Sequence, residues 1–307
     1  MTERMMKPEE FLSLFEEKRK EAEKTVLSRL PEIEGYQREV LEALDYGVRS
    51  GGKRLRPLMM KEAFIMFGGE DPAIDDFMAA IEFIHNYSLI HDDLEAMDND
   101  EYRRGIKTTH AVYGEGMGVL AGDALLNLVY EITSRSVLSA PDHDTMKRRA
   151  LAQHILADKA GVYGMVGGQS ADLTAEKKGE ASEELLLFMD EKKTACLMEA
   201  SLMAGAALSG ASDEEIRALE ECGSVMGQAF QIMDDILDVT GDQAETGKDA
   251  GSDEKNGKIT YVTLYGLDEC RRKVDELTDK AVDIMGSTGR ECGFLTALVR
   301  YLSGRRK

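Results

Sequence analysis

The chain has 307 residues, of which 43% are hydrophobic and 31% charged, and its 58 acidic against 38 basic residues give a formal net charge of −20. That composition is globular, with apolar material for a sizeable core. The acidic excess counts against a nucleic-acid binder, which shows a basic face, and against a polybasic membrane anchor. It leaves room for an anionic ligand only if cationic residues are clustered locally.

Taken in chain order, helical periodicity dominates and strand-like alternation is nowhere sustained. Phe11, Leu12, Leu14, Phe15, Ala22, Val26 and Leu30 mark a first amphipathic helix. Helices are predicted over 39–50, over 58–67 up to the Gly68-Gly69 pair, and over 76–91, the last very apolar. Others are predicted over 121–137 and 145–163. Ser182-Glu183-Glu184 reads as a helix start before a run to Ser209, and Ser212-Asp213-Glu214-Glu215 as an N-cap with acids in the first turn, opening a helix to about Val239. A glycine- and charge-rich loop follows from Gly241 to Gly257, then helices resume to Leu302 and the tail Ser303–Lys307 is expected to fray. Several helices are apolar nearly all round, so some must be central. The expectation is one all-α domain over 1–307.

The N-terminal stretch has no continuous apolar segment and no Arg-rich, acid-poor pattern, so neither a signal nor a transit peptide is expected. No run approaches the ~18 apolar residues of a spanning helix. Cys196, Cys222, Cys270 and Cys292 are widely spaced without a CxxC pair, which disfavours a thiolate zinc site and fits a reducing, cytoplasmic setting.

Two acidic clusters stand out. In HNYSLIHDDLEAMDNDEYRRG, His85, Ser88 and Asp92 fall at i, i+3 and i+7, one stripe of a helix, with Asp93 beside them and Asp98 six residues beyond Asp92. A straight helix does not align Asp98 with Asp92, so the helix is expected to end or bulge near Leu94–Met97 and let Asp98 curl back. In FQIMDDILDVTGD, Gln231, Asp234 and Asp238 form a second stripe, with Asp235 close by, on a helix otherwise crowded with Ile232, Met233, Ile236 and Leu237. Either cluster alone can be a solvated helix end. Two of them, each set in an apolar helix, point to a polar cavity or a bound cation. Oxygen-only ligands suit Mg²⁺, which keeps waters and is completed by substrate phosphates.

The cations are local to these acids. SGGKRLRP sets Lys53, Arg54 and Arg56 behind a diglycine, and Arg103-Arg104 follow the first acidic cluster directly. Glycine gives backbone access and arginine gives bidentate phosphate recognition. No P-loop pattern is present. Lys193-Thr194 lie inside a helix, and Lys248 and Lys258 bracket the glycine-rich loop.

GGKRLRP, HNYSLIHDDLEAMDNDEYRRG, GEGMGVLAGDALL, GMVGGQSADL, EKKTACLMEAS and GQAFQIMDDILDVTGD with GKDAGSDEKNGKITY occur in that order, from about Gly47 to Glu269. Together they resemble the trans-isoprenyl diphosphate synthases, particularly the bacterial farnesyl diphosphate synthases. The resemblance implies an all-helical fold around a deep cavity, usually a homodimer, with isopentenyl and allylic diphosphates as substrates and up to about three Mg²⁺ ions. It implies Asp92, Asp93 and Asp98 as one metal site and Asp234, Asp235 and Asp238 as the second. Arg103, Lys193, Gln231, Lys248 and Lys258 match positions that contact the allylic diphosphate or its cation, and Thr194 one that stabilises the carbocation. Lys53, Arg56, His85 and Arg104 match the isopentenyl diphosphate site. The chain departs from the pattern at Glu95, Lys107 and Val262, where proline is usual, and at Asp190, where histidine often stands.

Product length is expected to depend on the cavity floor. Tyr87 lies five residues before Asp92, about 7.5 Å down the helix, and its ring could stop a growing chain, whereas the adjacent Ser88 is small. A geranylgeranyl or longer product remains the alternative. A terpene cyclase would not need GGKRLRP, and a non-catalytic partner subunit would be expected to lose aspartates that this chain keeps.

Overall fold

A computed structural model describes residues 7–178, 182–240 and 260–305. In chain order the elements are α1 (Pro8–Leu27), α2 (Arg38–Arg49), α3 (Leu55–Met66), α4 (Ile74–Asp92), a hairpin of β1 (Tyr102–Arg103) and β2 (Ile106–Lys107), α5 (Thr109–Tyr113), α6 (Glu115–Leu138), α7 (His143–Ala160) and α8 (Met165–Lys178). They continue with α9 (Glu183–Met189), a π turn (Asp190–Ala195), α10 (Cys196–Ser209), α11 (Asp213–Thr240), α12 (Tyr261–Tyr265), α13 (Leu267–Ser287) and α14 (Gly293–Ser303).

The central helices are those whose sequence is apolar on every face. In α10 every residue from Cys196 to Leu208 is buried, and it packs against α3, α7 and α11. Helix α4 is buried along most of its length and lies against α6 and α3. One hydrophobic core runs from Phe11 in α1 to Leu302 in α14. The four cysteines are free and buried.

Local signals account for the helix starts. Pro8 stands in the first turn of α1, where its missing N–H costs nothing. The Asp142 carboxylate accepts from the Asp144 and Thr145 amides at 3.0 and 2.8 Å and starts α7. Ser212 and Glu215 form a reciprocal capping box on α11, at 3.2 and 2.8 Å. Three features differ from the sequence expectation. The hairpin 102–107 has strands of two residues each, too short to show alternation. Helix α8 carries four small residues, Gly167, Gly168, Ser170 and Ala171, in its first turns, which hides its apolar period. The tail is not frayed throughout, because Arg305 is buried.

Close helix approach depends on Gly205 of α10, where a Cβ would lie 2.2 Å from the Met60 carbonyl oxygen of α3. Gly205→Ala is therefore expected to destabilise the protein. Overpacking costs about 1–3 kcal/mol, against about 1 kcal/mol gained in helix propensity. Gly286→Ala, where a Cβ meets nothing within 4 Å, is expected to stabilise. Urea denaturation midpoints moving in opposite directions, with unchanged slopes, would bear this out.

Candidate active site

Helix α4 ends at Asp92, and the chain then folds back on itself. The Asp98 amide donates to the Asp92 carbonyl at 2.9 Å, and the Asp100 amide to the Asp93 carbonyl at 3.1 Å, with Asn99 in the left-handed region at φ 53°. Asp98 thus returns to the end of the helix, as the spacing required. Burial pushes the Asp92 carboxyl up to about 6 from its ordinary 3.8, with Asp98 and Asp93 adding to the shift and Lys193 and Arg103 opposing it. Asp93 turns inward. Its Oδ1 accepts from both Nε and Nη2 of Arg103, each at 2.7 Å.

The hairpin explains why adjacent arginines serve different places. Arg104 and Gly105, at φ 54° and 79°, form its tight turn, the arrangement that suits two-residue hairpin loops. Arg103, in the strand, points to Asp93. Arg104, in the turn, donates to the Gly51 carbonyl and lies over Gly52, where a Cβ would stand 2.8 Å from its Nη1. Gly52 at φ 138° also takes a conformation that side chains avoid. Arg54, left without a role by sequence reasoning, is fully buried. It donates to Glu82 Oε1 and to the Val48 carbonyl, each at 2.7 Å, and so fixes the loop between Lys53 and Arg56.

The cations of this loop depress one another. Burial brings the Arg56 guanidinium down to about 10, with Arg104 adding to the shift. Burial lowers Lys53 and Arg104 as well, with Arg305 and Arg104 repelling Lys53 and with Arg103 and Arg54 repelling Arg104. Burial, then Arg56 and Arg104, hold His85 well below its ordinary value, so its imidazole is neutral near pH 7.

The π turn Asp190–Ala195 carries Lys193 and Thr194. Helices α8 and α11 close on it through glycines. A Cβ at Gly168 would lie 2.4 Å from the Lys193 nitrogen, and one at Gly227 2.4 Å from the Ala195 Cβ. Lys193 pairs with Asp172 at 2.7 Å. Burial acts to lower its pKa, but Asp172, Asp92 and Asp98 outweigh burial and hold it above its ordinary value. Thr194 turns the other way and donates to Gln231 Oε1 at 3.3 Å. Gln231 Nε2 donates to Asp235 Oδ1 at 3.2 Å, and the Tyr261 amide to Asp235 Oδ2 at 2.8 Å. Asp235 is therefore buried with both oxygens engaged, as Asp93 is engaged by Arg103. Asp190 is buried too, and burial, then the Asp235 charge, push it up to about 7.

Asp234 projects outward from α11 and pairs with Arg305 at 2.6 Å. The same Nη2 donates to the Phe230 carbonyl at 3.1 Å, and the guanidinium lies 3.7 Å from the centre of the Phe230 ring. Asp238 lies one turn on, half-buried. Lys248 and Lys258 lie outside the described residues. Asp172, Arg54 and Arg305 were missed by sequence reasoning. For Asp172 the signal was its place in GMVGGQSADL, ahead of Lys193; for Arg305 no local signal exists.

Among the described residues no three ligands converge on one point. The outward carboxylates Asp92, Asp98, Asp234 and Asp238 fit a hard cation that takes few protein oxygens and completes its shell with water and phosphate. Between the acids and the core lies a cavity of about 830 Å³ that brings together Arg56, His85, Tyr87, Ser88, Asp92, Lys193 and Thr194, with Met165, Leu173 and Leu197 among its apolar walls. Tyr87 is buried, and its ring stands edge-on to His91 with centroids 5.9 Å apart. Ser88 turns its hydroxyl to the His85 carbonyl at 2.9 Å.

An all-helical fold around a deep cavity, with the first aspartate cluster at its lining through Asp92, is that of the isoprenoid synthases. The Polyprenyl synthetase family matches residues 37–290, and the chain belongs to that family; it is a prenyltransferase. Farnesyl diphosphate synthase of Escherichia coli is 40% identical over 274 residues, covering 87% of this chain and 90% of that protein. The large subunit 2 of a heterodimeric geranylgeranyl pyrophosphate synthase of Arabidopsis thaliana is 38% identical, covering 88% and 71%. A crystal structure of an FPP/GFPP synthase from Zymomonas mobilis superposes with a TM-score of 0.82 at 32% identity, covering 96% of this chain and 99% of that one.

The raised Asp92 pKa has a definite sign. The folded state holds the proton more tightly than the unfolded state, so this group favours folding at low pH and disfavours it as pH rises through about 6. In chelator at pH 8, Asp92→Asn is expected to stabilise the protein by about 1–3 kcal/mol, a gain that shrinks toward zero below pH 4. Added Mg²⁺ is expected to raise the melting temperature of the unsubstituted protein more than that of Asp92→Asn. Thermal melts across pH, with and without the ion, check both.

Proposed function

We propose that the chain condenses isopentenyl diphosphate head to tail with dimethylallyl and then geranyl diphosphate, releasing (2E,6E)-farnesyl diphosphate and diphosphate. The observation that carries this reading is that one largely apolar cavity is lined both by an acid, Asp92, and by the cations Arg56 and Lys193. Asp92 is pushed up by burial and its neighbouring acids, while Lys53, Arg56 and Arg104 are pushed down by burial and neighbouring cations. One group calls for cations and the other for an anion.

The allylic diphosphate is held by Arg103 and Lys193; Lys248 and Lys258, outside the described residues, are assigned to the same ligand from the sequence resemblance alone. Asp92, Asp98, Asp234 and Asp238 would hold Mg²⁺, which would supply charge stabilisation for a leaving diphosphate. Asp93 and Asp235 serve these ligands indirectly: Asp93 aims Arg103, and Asp235 aims Gln231. Thr194 and Gln231 present oxygens toward the allylic carbons, where positive charge develops. Isopentenyl diphosphate sits apart, on Lys53, Arg56 and Arg104 with neutral His85, so that its own diphosphate is bound without being drawn off. The apolar walls exclude water from the cation. The last proton passes to the departing diphosphate, since no side chain stands as an obvious base.

A geranylgeranyl product is the second reading, supported by the plant relative at nearly the identity of the bacterial one, 38% against 40%. The Tyr87 ring at the cavity end favours the shorter chain. We propose a homodimer through the outer face of α6, where Val119, Leu120, Tyr130 and Leu138 are exposed. Among the described residues no helix is long and apolar enough to cross a membrane; a cytoplasmic setting is the reading that the four free cysteines favour.

Incubation with labelled isopentenyl diphosphate, each allylic primer and Mg²⁺ is expected to give a fifteen-carbon product. Absence of condensation with every primer would sink the reading. Tyr87→Ala is expected to lengthen the product; fifteen carbons at unchanged yield would show that Tyr87 is not the floor.

A further inference from the structure

The wall beside Tyr87 is not made by α4 alone. His91 lines the cavity with Tyr87, and its ring is anchored from outside by α6. Its Nε2 donates to the Val119 carbonyl at 3.1 Å and stands 3.8 Å from Asp123 Oδ1, which fixes the proton on Nε2. The ring lies directly on Gly122. A Cβ there would come within 2.1 Å of Nε2, 2.3 Å of Cδ2 and 2.8 Å of Cε1. All three nearest atoms belong to the imidazole, so the ring alone blocks a side chain at 122.

We propose that His91, seated on Gly122, is a specificity-determining residue that sets the width of the cavity beside Tyr87 and hence where chain growth stops. The inference rests on the prenyl-transfer reading above. Helices α4 and α6 pack against each other, so a methyl group at 122 displaces the ring away from α6, toward the cavity that it lines. Tyr87, one turn earlier and edge-on to the ring, would be pressed with it. Removing the ring opens a recess between Tyr87 and α6. Because Gly122 lies on a different helix from Asp92, width can be changed there without touching the acidic end of α4.

The test sizes products from Gly122→Ala, His91→Ala, His91→Phe and the double variant His91→Ala/Gly122→Ala beside the unsubstituted enzyme. Gly122→Ala is expected to raise the share of ten-carbon product by about tenfold, the scale on which pockets discriminate single methylenes. His91→Ala is expected to shift the distribution to longer chains, and His91→Phe to keep the original length. The double variant is expected to behave as His91→Ala, because the added methyl group then has no ring to displace. Gly122→Ala with the original distribution, or a double variant shortened like Gly122→Ala, overturns the proposal. Should Gly122→Ala melt early, His91→Ala decides alone, and unchanged length overturns it. Rate losses at position 91 do not bear on the outcome, since length is the readout. Loss of condensation in the unsubstituted enzyme would instead overturn the prenyl-transfer reading, and this inference with it.

Discussion

Like charges crowded at the mouth of an apolar cavity are costly unless something of opposite sign arrives, and this constraint shapes the whole site. Asp92 sits beside Asp98 and Asp93, and Arg56 beside Arg104. The fold could neutralise both groups by pairing them with each other. It does so only in part, through Asp93 with Arg103 and Asp234 with Arg305. Asp92 remains with its carboxyl up near 6, and Arg56 with its guanidinium down near 10. Residual imbalance of this kind is what perturbed groups at functional sites share.

Each aspartate pair divides its work by helical rotation. Successive residues on a helix point about 100° apart, so an Asp-Asp pair cannot send both carboxylates to the same place. In each pair the second acid turns inward, Asp93 onto Arg103 and Asp235 onto Gln231 and the Tyr261 amide, while the first points elsewhere, Asp92 to the cavity and Asp234 to Arg305. The π turn performs the same division on Lys193 and Thr194, one toward Asp172 and the first acids, the other toward Gln231. Extra residues in a helical turn re-aim side chains in this way, and such bulges cluster at functional sites.

Much of this was legible in the sequence, because it follows from helical spacing. The stripe His85, Ser88, Asp92 and the return of Asp98 could be read from intervals of three, four and six. The central place of 196–208 follows from its apolar faces. What could not be read depends on contacts distant along the chain. Arg305 was expected to fray because Ser-Gly-Arg-Arg-Lys looks like a tail, yet Phe230 and Asp234 hold it from another helix. Arg54 stood among the loop cations with no role of its own, and only the buried Glu82 makes it a strut. The hairpin that splits Arg103 from Arg104 is too short to leave a period, and the π turn is invisible to a pattern that assumes 3.6 residues per turn.

Helix α4 carries both the chemistry and the gauge of its product. Asp92 at its C-terminal end faces the phosphates, while His91 and Tyr87 look along the cavity wall below. A shift of the whole helix would alter reactivity and length together, so independent control of length requires a contact from elsewhere. Helix α6 makes that contact at Gly122 and Val119, against the His91 ring. Val119, Leu120 and Tyr130 of the same helix are exposed, and Tyr130 lies near enough to Tyr87 to raise its phenol pKa, after burial. The end of the cavity and the outer face of α6 are therefore two sides of one helix wall. Whatever packs on the outside bears, through that wall, on the space left for a growing chain.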